Sequence, residues 1–457
     1  MKLEKRPYES KAVRDLRAAL PKHKRVLAVA PTGAGKTVIA SMLLRAEPRW
    51  KRIIWLAHRV ELISQARTHL MSLGVPCGVR CAKYEALHPD HVDHEARVQV
   101  GSIQTVIRHE VEDVDLIVID EAHRAMADTY QRIAELRPRA EILGLTATPC
   151  RLDGRGLGDF FRSMLVMAKP SDLYGAGYLA APVTYAADPA TRDLVIKQLR
   201  GVRIERGDFQ QAALGRAMGK NILVGNVVTE TMRLAPHVPK VVFAATIKHS
   251  KKLVARFKRQ GITAAHLDGE TSAAVRERIL ADLASGKIEV VCNVDVLTEG
   301  WDLPALGAVI VARPTKSLGR FMHMIGRLQR IGGPKRKLIL DHGGNAIRLQ
   351  HFPGEDMTWS LDHGKPTVDA TSRVRLCIEC GAVLVEDCKE CPECGATQPK
   401  SARRQLEERE AALVELDRKR FEKLRAAVRK RTEKVARDVK APPGWVDKVV
   451  DEVVPPA

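Results

Sequence analysis

The sequence has few aromatic residues and no long apolar run. Aromatic side chains make up 4% of the chain, which argues against a surface that binds by extensive ring stacking on bases. No segment approaches the roughly 18 consecutive apolar residues of a transmembrane helix, so we expect no membrane partner. The first residues, MKLEKRPYESK, lack the apolar core of a secretory signal, and we therefore expect a cytoplasmic protein.

Acidic residues are also in deficit. The chain has 55 Asp and Glu residues against 75 Lys and Arg residues, a formal charge of +20. This excess predicts a polyanionic partner, with nucleic acid favoured over a membrane surface, although a basic proteome background would produce the same balance. A length of 457 residues with 45% hydrophobic residues is sufficient for two to three folded domains.

Short apolar runs alternate with helix-like stretches through the first two-thirds of the chain. The first series comprises Val26–Ala30, Ile53–Ala57, Val98–Gly101, Leu116–Ile119 and Ile142–Leu145. The second series comprises Lys240–Ala244, Thr263–Leu267, Glu289–Asn293, Ala308–Ala312 and Lys337–Asp341. Such runs are typical of strands buried in a parallel sheet. Two series predict two parallel α/β domains in preference to one very large sheet.

The first run of the first series leads into a glycine-rich turn. APTGAGKT occupies residues 30–37, and its predicted phosphate-binding residues are Thr32, Gly33, Ala34, Gly35, Lys36 and Thr37. The two glycines let the backbone curl so that its N–H groups face a phosphate. We expect Lys36 to begin a helix and neutralise phosphate charge, and Thr37 to bind Mg²⁺ through its hydroxyl.

A second segment supplies the acids that such a loop needs. VIDEAH at 118–123 places Asp120 and Glu121 directly after an apolar run. Asp120 is predicted to hold Mg²⁺ together with Thr37, and Glu121 to orient or deprotonate the attacking water. His123 is predicted to couple the nucleotide to the rest of the protein. The ordered pair of segments predicts a Mg²⁺-dependent nucleoside triphosphate site.

The order of the motifs resembles that of superfamily 2 helicases with two RecA-like domains. Besides the two segments above, the resemblance rests on RPYE at 6–9, AHRVELISQ at 57–65, GSIQTV at 101–106, LTATP at 145–149, VVFAATIKHS at 241–250, NVDVLTEGWDLP at 293–304 and HMIGRLQR at 323–330. A narrower resemblance is to RadD-like and phage-type DEAH helicases, because LILDHGGNAIRL at 338–349 and WSLD at 359–362 precede a cysteine-rich module.

The resemblance implies further residues at the nucleotide, which it identifies as ATP. Arg327 and Arg330 match arginines that reach the γ-phosphate from the second domain, and their spacing of three places them on one side of a helix. Asp302 matches a contact to the ribose. Glu9 stands where the family usually carries the glutamine that reads adenine. His323 stands where DEAH-type relatives often carry glutamine, so the base preference stays open.

The resemblance also implies nucleic-acid contacts. Arg59, Thr105 and Thr298 match positions that touch the sugar-phosphate backbone, which is a contact independent of base sequence. Further candidates, with solvated surface charge as the equal alternative, are Lys248, His249, Arg276 and Arg278. DNA is favoured over RNA by analogy with the RadD-like and phage helicases.

The expected function is an ATP-dependent helicase or translocase that acts on DNA in repair, recombination or phage replication. Two alternatives remain at this point. One is an ATP-dependent RNA helicase. The other is a DNA-binding ATPase motor subunit or adaptor that does not separate strands.

Five of the nine cysteines lie within residues 377–394. CIECG and CPECG each carry two cysteines two residues apart, followed by a glycine that frees the backbone to turn. This spacing predicts a closed structural Zn²⁺ site whose ligands are Cys377, Cys380, Cys391 and Cys394. Cys388 is a fifth candidate, because it could pair with Cys391 in a competing register.

These motifs predict the organisation of the chain. It comprises a RecA-like ATP-binding domain at 1–168, a linker and the start of the second domain at 169–239, a RecA-like second domain at 240–362, a zinc ribbon at 373–398, a charged helix at 401–440 and a flexible tail at 441–457. The charged helix lacks a clean heptad, so we favour a solvent-exposed helix over a coiled coil or a DNA-gripping arm. The zinc ribbon or this helix is the expected site for a protein partner.

Overall fold

The computed structural model describes the chain from residue 6 to residue 399 with short gaps. The described ranges are 6–108, 113–125, 128–151, 154–186, 195–205, 207–217, 222–298, 301, 303–351, 353–363, 366–368, 374–385 and 388–399, with 429, 433 and 446–447 beyond them. The predicted charged helix at 401–440 and the tail at 441–457 lie almost entirely outside the described residues. Asp302, the predicted ribose contact, also lies outside them.

Seven parallel strands form the first sheet. In order across the sheet they are Cys77–Arg80, Val98–Ser102, Ile53–Ala57, Leu116–Asp120, Glu141–Thr146, Arg25–Val29 and Ser163–Val166. The accompanying helices are Pro7–His23, Lys36–Ala46, Val60–Ser72, Ala82–Glu85, Ile103–Val106 and Asp128–Leu136, with 3₁₀ turns at Pro89–His91 and Ala122–Arg124. Because all the pairings are parallel, the carboxyl ends of the strands meet at one edge.

The first sheet is buried on both faces. The strands Ile53–Ala57 and Leu116–Asp120 are buried at every position. Trp55 belongs to the apolar cluster on one side and Phe161 to the cluster on the other. Burial on both faces explains why the strands are nearly continuous apolar runs, and the five strands predicted here are confirmed. The two outermost strands were not predicted, because each has only four residues and lies at an edge of the sheet.

Six parallel strands form the second sheet. Across the sheet they are Ala264–Leu267, Val290–Asn293, Lys240–Ala244, Ala308–Ala312, Leu338–Asp341 and Val183–Ala186. Helices in this part are Pro170–Gly175, Gln211–Ala217, Ile222–Leu234, Ile247–Arg259, Ala273–Ala284, Leu318–Gly326 and Asn345–Arg348. The five strands predicted here are confirmed, and the two sheets with their helices form two RecA-like domains. The sixth strand, at the edge, comes from the region predicted to contain the linker.

Short antiparallel pairs complete the described structure. They join Ile204–Glu205 with Asp208–Phe209, Met357–Thr358 with Thr367–Val368, and Val374–Leu376 with Val383–Val385. The last pair carries the first cysteine knuckle. Within the described part of the chain, no helix has both the length and the apolar character needed to cross a membrane.

Residues 353–362 follow the second domain and return to the first. The carbonyl oxygen of Leu361 accepts hydrogen bonds from the backbone N–H groups of Leu157 (2.8 Å) and Gly158 (2.9 Å). A Cβ atom at Gly156 would lie 2.0 Å from the Leu361 oxygen, so only glycine permits this approach. The WSLD segment is therefore a contact between the chain beyond the second domain and the first domain.

Candidate active site

The glycine-rich turn has the conformation that its sequence predicts. The strand Arg25–Val29 leads into the turn, and the helix Lys36–Ala46 leaves it. Gly33 and Gly35 both have left-handed φ values, 86° and 74°, which an L side chain rarely adopts. The turn thus lies at the carboxyl-end edge of the sheet, where the start of the helix offers its N–H groups to an anion.

The Lys36 ammonium is held inside the turn. Its Nζ donates to the carbonyl oxygens of Ala30 (3.2 Å) and Pro31 (3.3 Å). Burial lowers the pKa of Lys36, whereas the negative charges of Glu121 and Asp120 act to raise it. The ammonium therefore lies in a buried site with the acids of the second segment close enough to influence its charge.

The two acids follow directly from the end of the strand Leu116–Asp120. Glu121 has a φ of 52°, which is unusual for a residue with a side chain, and its N–H donates to Asp120 Oδ1 at 2.9 Å. Burial acts to raise the pKa of Glu121, but the hydrogen bond from His123 and the positive charges of His323 and Lys36 outweigh burial and lower this pKa overall. Glu121 is therefore an ionised carboxylate at neutral pH.

Two histidines connect this carboxylate to the second domain. His123 Nδ1 lies 3.4 Å from Glu121 Oε2, and the rings of His123 and His323 have centroids 5.0 Å apart. His323 Nε2 lies 3.1 Å from the hydroxyl of Thr148 in the LTATP segment. One ligand atom from each of Glu121, His123 and His323 lies within 4.8 Å of the others, so these three buried side chains could together hold a cation.

The two predicted arginines lie beyond the helix on which they were expected. The helix Leu318–Gly326 ends before them, so the prediction that they occupy one side of a helix is wrong. Arg327 is the residue that terminates the helix, and its Nη1 donates to the carbonyl oxygen of Trp301 at 2.9 Å. At and after the end of the helix, Gly326 and Arg330 lie against the glycine-rich loop of the first domain.

The end of the helix Leu318–Gly326 and the residues after it contact the glycine-rich turn of the first domain. A Cβ atom at Gly326 would lie 2.8 Å from both Cβ and Oγ1 of Thr32, and one at Gly33 would lie 3.3 Å from Cγ of Arg330. The charges of Arg327 and Arg330 act to lower the pKa of Lys36. Burial lowers the pKa of Arg330 to about 10. The second-domain arginines thus lie close to the phosphate loop of the first domain.

The segment RPYE contacts the same loop from the amino-terminal helix. Glu9 is buried and accepts the backbone N–H of Arg6 at 3.1 Å, while the Tyr8 hydroxyl donates to the carbonyl oxygen of Ala34 at 2.8 Å. The guanidinium carbon of Arg6 lies 4.8 Å from the ring centroid of Tyr178. Tyr178 was missed in the sequence, because a single aromatic residue in a connecting segment carries no pattern.

Two of the predicted nucleic-acid residues lie where the domains meet. Arg59 Nη1 donates to the carbonyl oxygen of Val296 at 3.0 Å, and its Nη2 donates to that of Asp295 at 3.4 Å. Thr298 Oγ1 donates to the same Asp295 oxygen at 3.2 Å. Arg59 in the first domain and Thr298 in the second are therefore neighbours at the carboxyl-end edges of the two sheets.

Other candidates for nucleic-acid contact have different surroundings. The Thr105 hydroxyl lies 2.8 Å from that of Ser102, at the start of a short helix. Arg276 Nη1 donates to Glu61 Oε1 of the first domain at 2.5 Å. His249 is buried, and burial lowers its pKa to about 4. By contrast, Lys248 and Arg278 are exposed.

The predicted metal-binding cysteines are close together. The sulfur atoms of Cys377, Cys380, Cys391 and Cys394 lie within 4.8 Å of one another, with Cys377 Sγ 3.7 Å from Cys394 Sγ. Gly381 and Gly395, behind each knuckle, have left-handed φ values of 73° and 72°. Cys388 does not belong to this group, and its thiol donates to the carbonyl oxygen of Glu390 at 2.9 Å.

Two family models match the chain. Residues 2–151 match the type III restriction enzyme res subunit, and residues 226–332 match the helicase conserved C-terminal domain. A 51.5 kDa protein of Lactococcus phage (isolate 7-9) is 29% identical over 375 residues, covering 81% of this chain and 75% of its own length. The putative ATP-dependent helicase IRC3 of Saccharomyces cerevisiae is 28% identical, covering 66% of this chain and 46% of its own length.

Solved structures share the fold. A fragment of a putative HsdR subunit of a type I restriction enzyme from Vibrio vulnificus matches with a TM-score of 0.55 and 19% identity, over 79% of this chain and 70% of that one. The type ISP restriction-modification enzyme LlaBIII bound to DNA matches with a TM-score of 0.56 and 17% identity, over 74% of this chain and 27% of that one. The two matched segments lie in this order on the two RecA-like domains, and together with the helicase relatives they support an ATP-hydrolysing helicase.

Proposed function

We propose that the protein is an ATP- and Mg²⁺-dependent translocase of the DEAH type that moves along DNA. One observation carries the proposal, namely that groups from both domains converge around Lys36. The acids Asp120 and Glu121 come from the first domain and the arginines Arg327 and Arg330 from the second, and all four influence the pKa of Lys36. Because the residues of the site are divided between two domains, a nucleotide that binds all of them also holds the domains closed.

The first-domain residues suit a Mg²⁺–triphosphate ligand. Thr37 and Asp120 offer the hard oxygen ligands that Mg²⁺ prefers, and when bound the ion neutralises charge on the phosphates. Lys36 supplies a further positive charge within the loop. Glu121 is ionised and can accept a proton from the attacking water or orient that water. We assign adenine binding to the side of the loop that contacts Tyr8 and Glu9, and ribose binding to Asp302.

Arg327 and Arg330 are assigned to the transition state. Both lie beyond the helix Leu318–Gly326 at the closed junction of the domains, where charge develops on the transferred phosphoryl group. His123 and His323 link Glu121 of the first domain to the second domain. Loss of the γ-phosphate would remove the ligand that both domains share, and the cleft would then open.

The nucleic acid is assigned to the edge where Arg59 and Thr298 meet, together with Thr105. DNA is favoured because the motifs resemble those of RadD-like and phage DNA helicases, which suggests a role in repair, recombination or phage replication. An RNA substrate is the second candidate, because the ATP-dependent RNA helicase SrmB of Escherichia coli is 25% identical over 334 residues.

One experiment tests this proposal. The ATPase rate is measured with single-stranded, duplex and forked DNA and with matched RNA, and Glu121→Gln serves as the catalytically impaired control. We expect stimulation by DNA that exceeds stimulation by RNA and that is absent from the control. Equal rates with and without every nucleic acid would contradict the motor function, and greater stimulation by RNA would favour the second candidate.

We further propose that the four-cysteine group binds structural Zn²⁺. Four thiolates fill a tetrahedral site and leave no position for a substrate, so the ion would stabilise the fold of the module without taking part in catalysis. The proximity of the four sulfur atoms supports this assignment. A module of this size has little core of its own, and loss of Zn²⁺ is therefore expected to unfold it locally.

A further inference from the structure

The helix Ile247–Arg259 of the second domain has an unusual composition. Its sequence, IKHSKKLVARFKR, contains six Lys and Arg residues and no acidic residue. Its length of 13 residues is well above that of a single turn. The helix therefore concentrates positive charge on one element, in addition to the excess that the whole chain carries.

The spacing of these cations places most of them on the outer side of the helix. The inner side packs Leu253 and Phe257 into the core of the second domain, and both side chains are fully buried. The exposed cations are separated by three, four and seven residues, which are the spacings that place side chains on one helix face. We call this face the basic ridge; its residues are Lys248, Lys251, Lys252, Lys258 and Arg259.

The charges of the basic ridge have no neutralising partner among the residues that the structure describes. Within the described part of the chain, no ridge residue has a carboxylate within ion-pair distance. Other exposed cations do have such partners, for example Lys11 with Asp15 and Arg233 with Glu230. A row of unpaired like charges raises the free energy of the folded domain, and a bound polyanion would relieve this repulsion.

The position of the helix connects the ridge to the proposed nucleic-acid site. Thr246 caps the helix, directly after the strand Lys240–Ala244. The amino-terminal end of the ridge, at Lys248, therefore lies at the carboxyl-end edge of the second sheet. Thr298 follows the end of the neighbouring strand Val290–Asn293 at the same edge. From that edge the ridge runs along the outside of the domain.

We propose that the basic ridge binds the phosphate backbone of duplex DNA that flanks the strand held between the domains. From Lys248 to Arg259 the ridge extends about 16 Å at 1.5 Å per residue. Duplex DNA carries about one phosphate charge per 1.7 Å of its axis, so roughly ten phosphates lie along a duplex of this length. A single strand of the same length carries about half as many. The ridge carries no aromatic side chain for stacking on unpaired bases, and this also favours a duplex. This inference rests on the proposed function.

The test compares two triple variants. In the ridge variant Lys251, Lys252 and Lys258 are changed to alanine, and Lys248 is kept because it is a candidate contact of the single strand. In the matched control the exposed residues Lys22, Lys51 and Lys335 are changed to alanine; each precedes the amino end of a strand, on the edge opposite the proposed DNA site. Fluorescence anisotropy measures the binding of a single strand, and of the same strand carrying a duplex, over a range of salt concentrations.

We expect the ridge variant to bind the tailed duplex roughly tenfold more weakly than the wild type does. The slope of the logarithm of the association constant against the logarithm of the salt concentration should be less steep by about 2 to 3. Its affinity for the single strand and its ATPase stimulated by that strand should stay within about twofold of the wild type, and the control should resemble the wild type on both DNAs. An unchanged tailed-duplex affinity and slope in the ridge variant would overturn the inference, as expected if the ridge instead meets an acidic protein. An equal loss in the control would also overturn it, because net charge alone would then explain binding.

The two proposals fail separately. If the wild type shows no nucleic-acid-stimulated ATPase, the proposed function is wrong, and the ridge inference falls with it. If the wild type is stimulated and binds the single strand, but the ridge variant holds the tailed duplex as tightly as the wild type does, only the ridge inference is wrong.

Discussion

Closure of the cleft depends on a glycine that has no room for a side chain. In Gly326→Ala, the added methyl carbon would lie 2.8 Å from Cβ and from Oγ1 of Thr32 in the phosphate loop. Carbon atoms in contact are normally about 3.5 to 4.0 Å apart, so the domains must separate by about 1 Å or distort. The glycine belongs to the second domain and the threonine to the first, so the strain is expected mainly in the closed state.

The magnitude follows from the cost of overpacking. Insertion of a methyl group into a filled contact typically costs about 1–3 kcal/mol. If that cost applies only to the closed state, the closed population falls by roughly 5-fold to 150-fold. We therefore expect Gly326→Ala to lower kcat/KM for DNA-stimulated ATP hydrolysis within this range. The free energy of unfolding of the separate domains should change little.

The same helix offers a matched control. A Cβ atom at Gly319 would lie 3.6 Å from Thr148 Oγ1, which is an ordinary contact distance. Gly319→Ala should therefore retain near-wild-type activity, and its helix propensity should if anything rise. Steady-state ATPase assays and thermal unfolding of both variants provide the measurement. Wild-type kcat/KM in Gly326→Ala, or an equal loss in Gly319→Ala, would refute the reasoning.

Three further predictions concern individual side chains. Glu121→Gln should still bind ATP in an equilibrium binding assay but should not turn it over, because the ionised carboxylate handles water and not phosphate; turnover at the wild-type rate would remove Glu121 from this role. Arg330→Ala should reduce kcat on the order of a thousandfold with little change in nucleotide affinity, and a loss confined to KM would make Arg330 a ground-state binding residue. Metal analysis should find one Zn²⁺ per chain in the wild type and in Cys388→Ser, with loss in Cys394→Ser; the reverse pattern would refute the ligand set.

Local patterns made much of the fold predictable. Strands buried on both faces must be apolar along their length, so runs such as Ile53–Ala57 and Ala308–Ala312 were visible as strands in the sequence. The strand Val183–Ala186 was not, because it lies at the edge of the sheet and its pairing with Leu338–Asp341 joins residues about 150 positions apart. An edge strand is less apolar, and no local signal reports such distant pairing.

The candidate site likewise contains parts that the sequence predicted and parts that it did not. The chain near residues 30–37 and 118–123 determines its own chemistry, because contiguous residues form the turn, start the helix and end the strand. The ring of Tyr178 beside Arg6, in contrast, depends on how a connecting segment folds back. The expected placement of Arg327 and Arg330 on a helix was wrong for a related reason, since the helix ends where the second domain meets the first.

The sequence alone therefore determined the two sheets, the phosphate loop with its acids, and the two cysteine knuckles, since each depends on residues adjacent in the chain. Only the tertiary structure decided which groups face each other across the cleft. Arg59 binds the backbone at Asp295, Arg276 binds Glu61, and the carbonyl oxygen of Leu361 meets the backbone of Leu157. These contacts join residues more than 200 positions apart. Such contacts leave no periodic trace in a sequence, because they depend on the docking of whole domains whose surfaces are set by many residues at once.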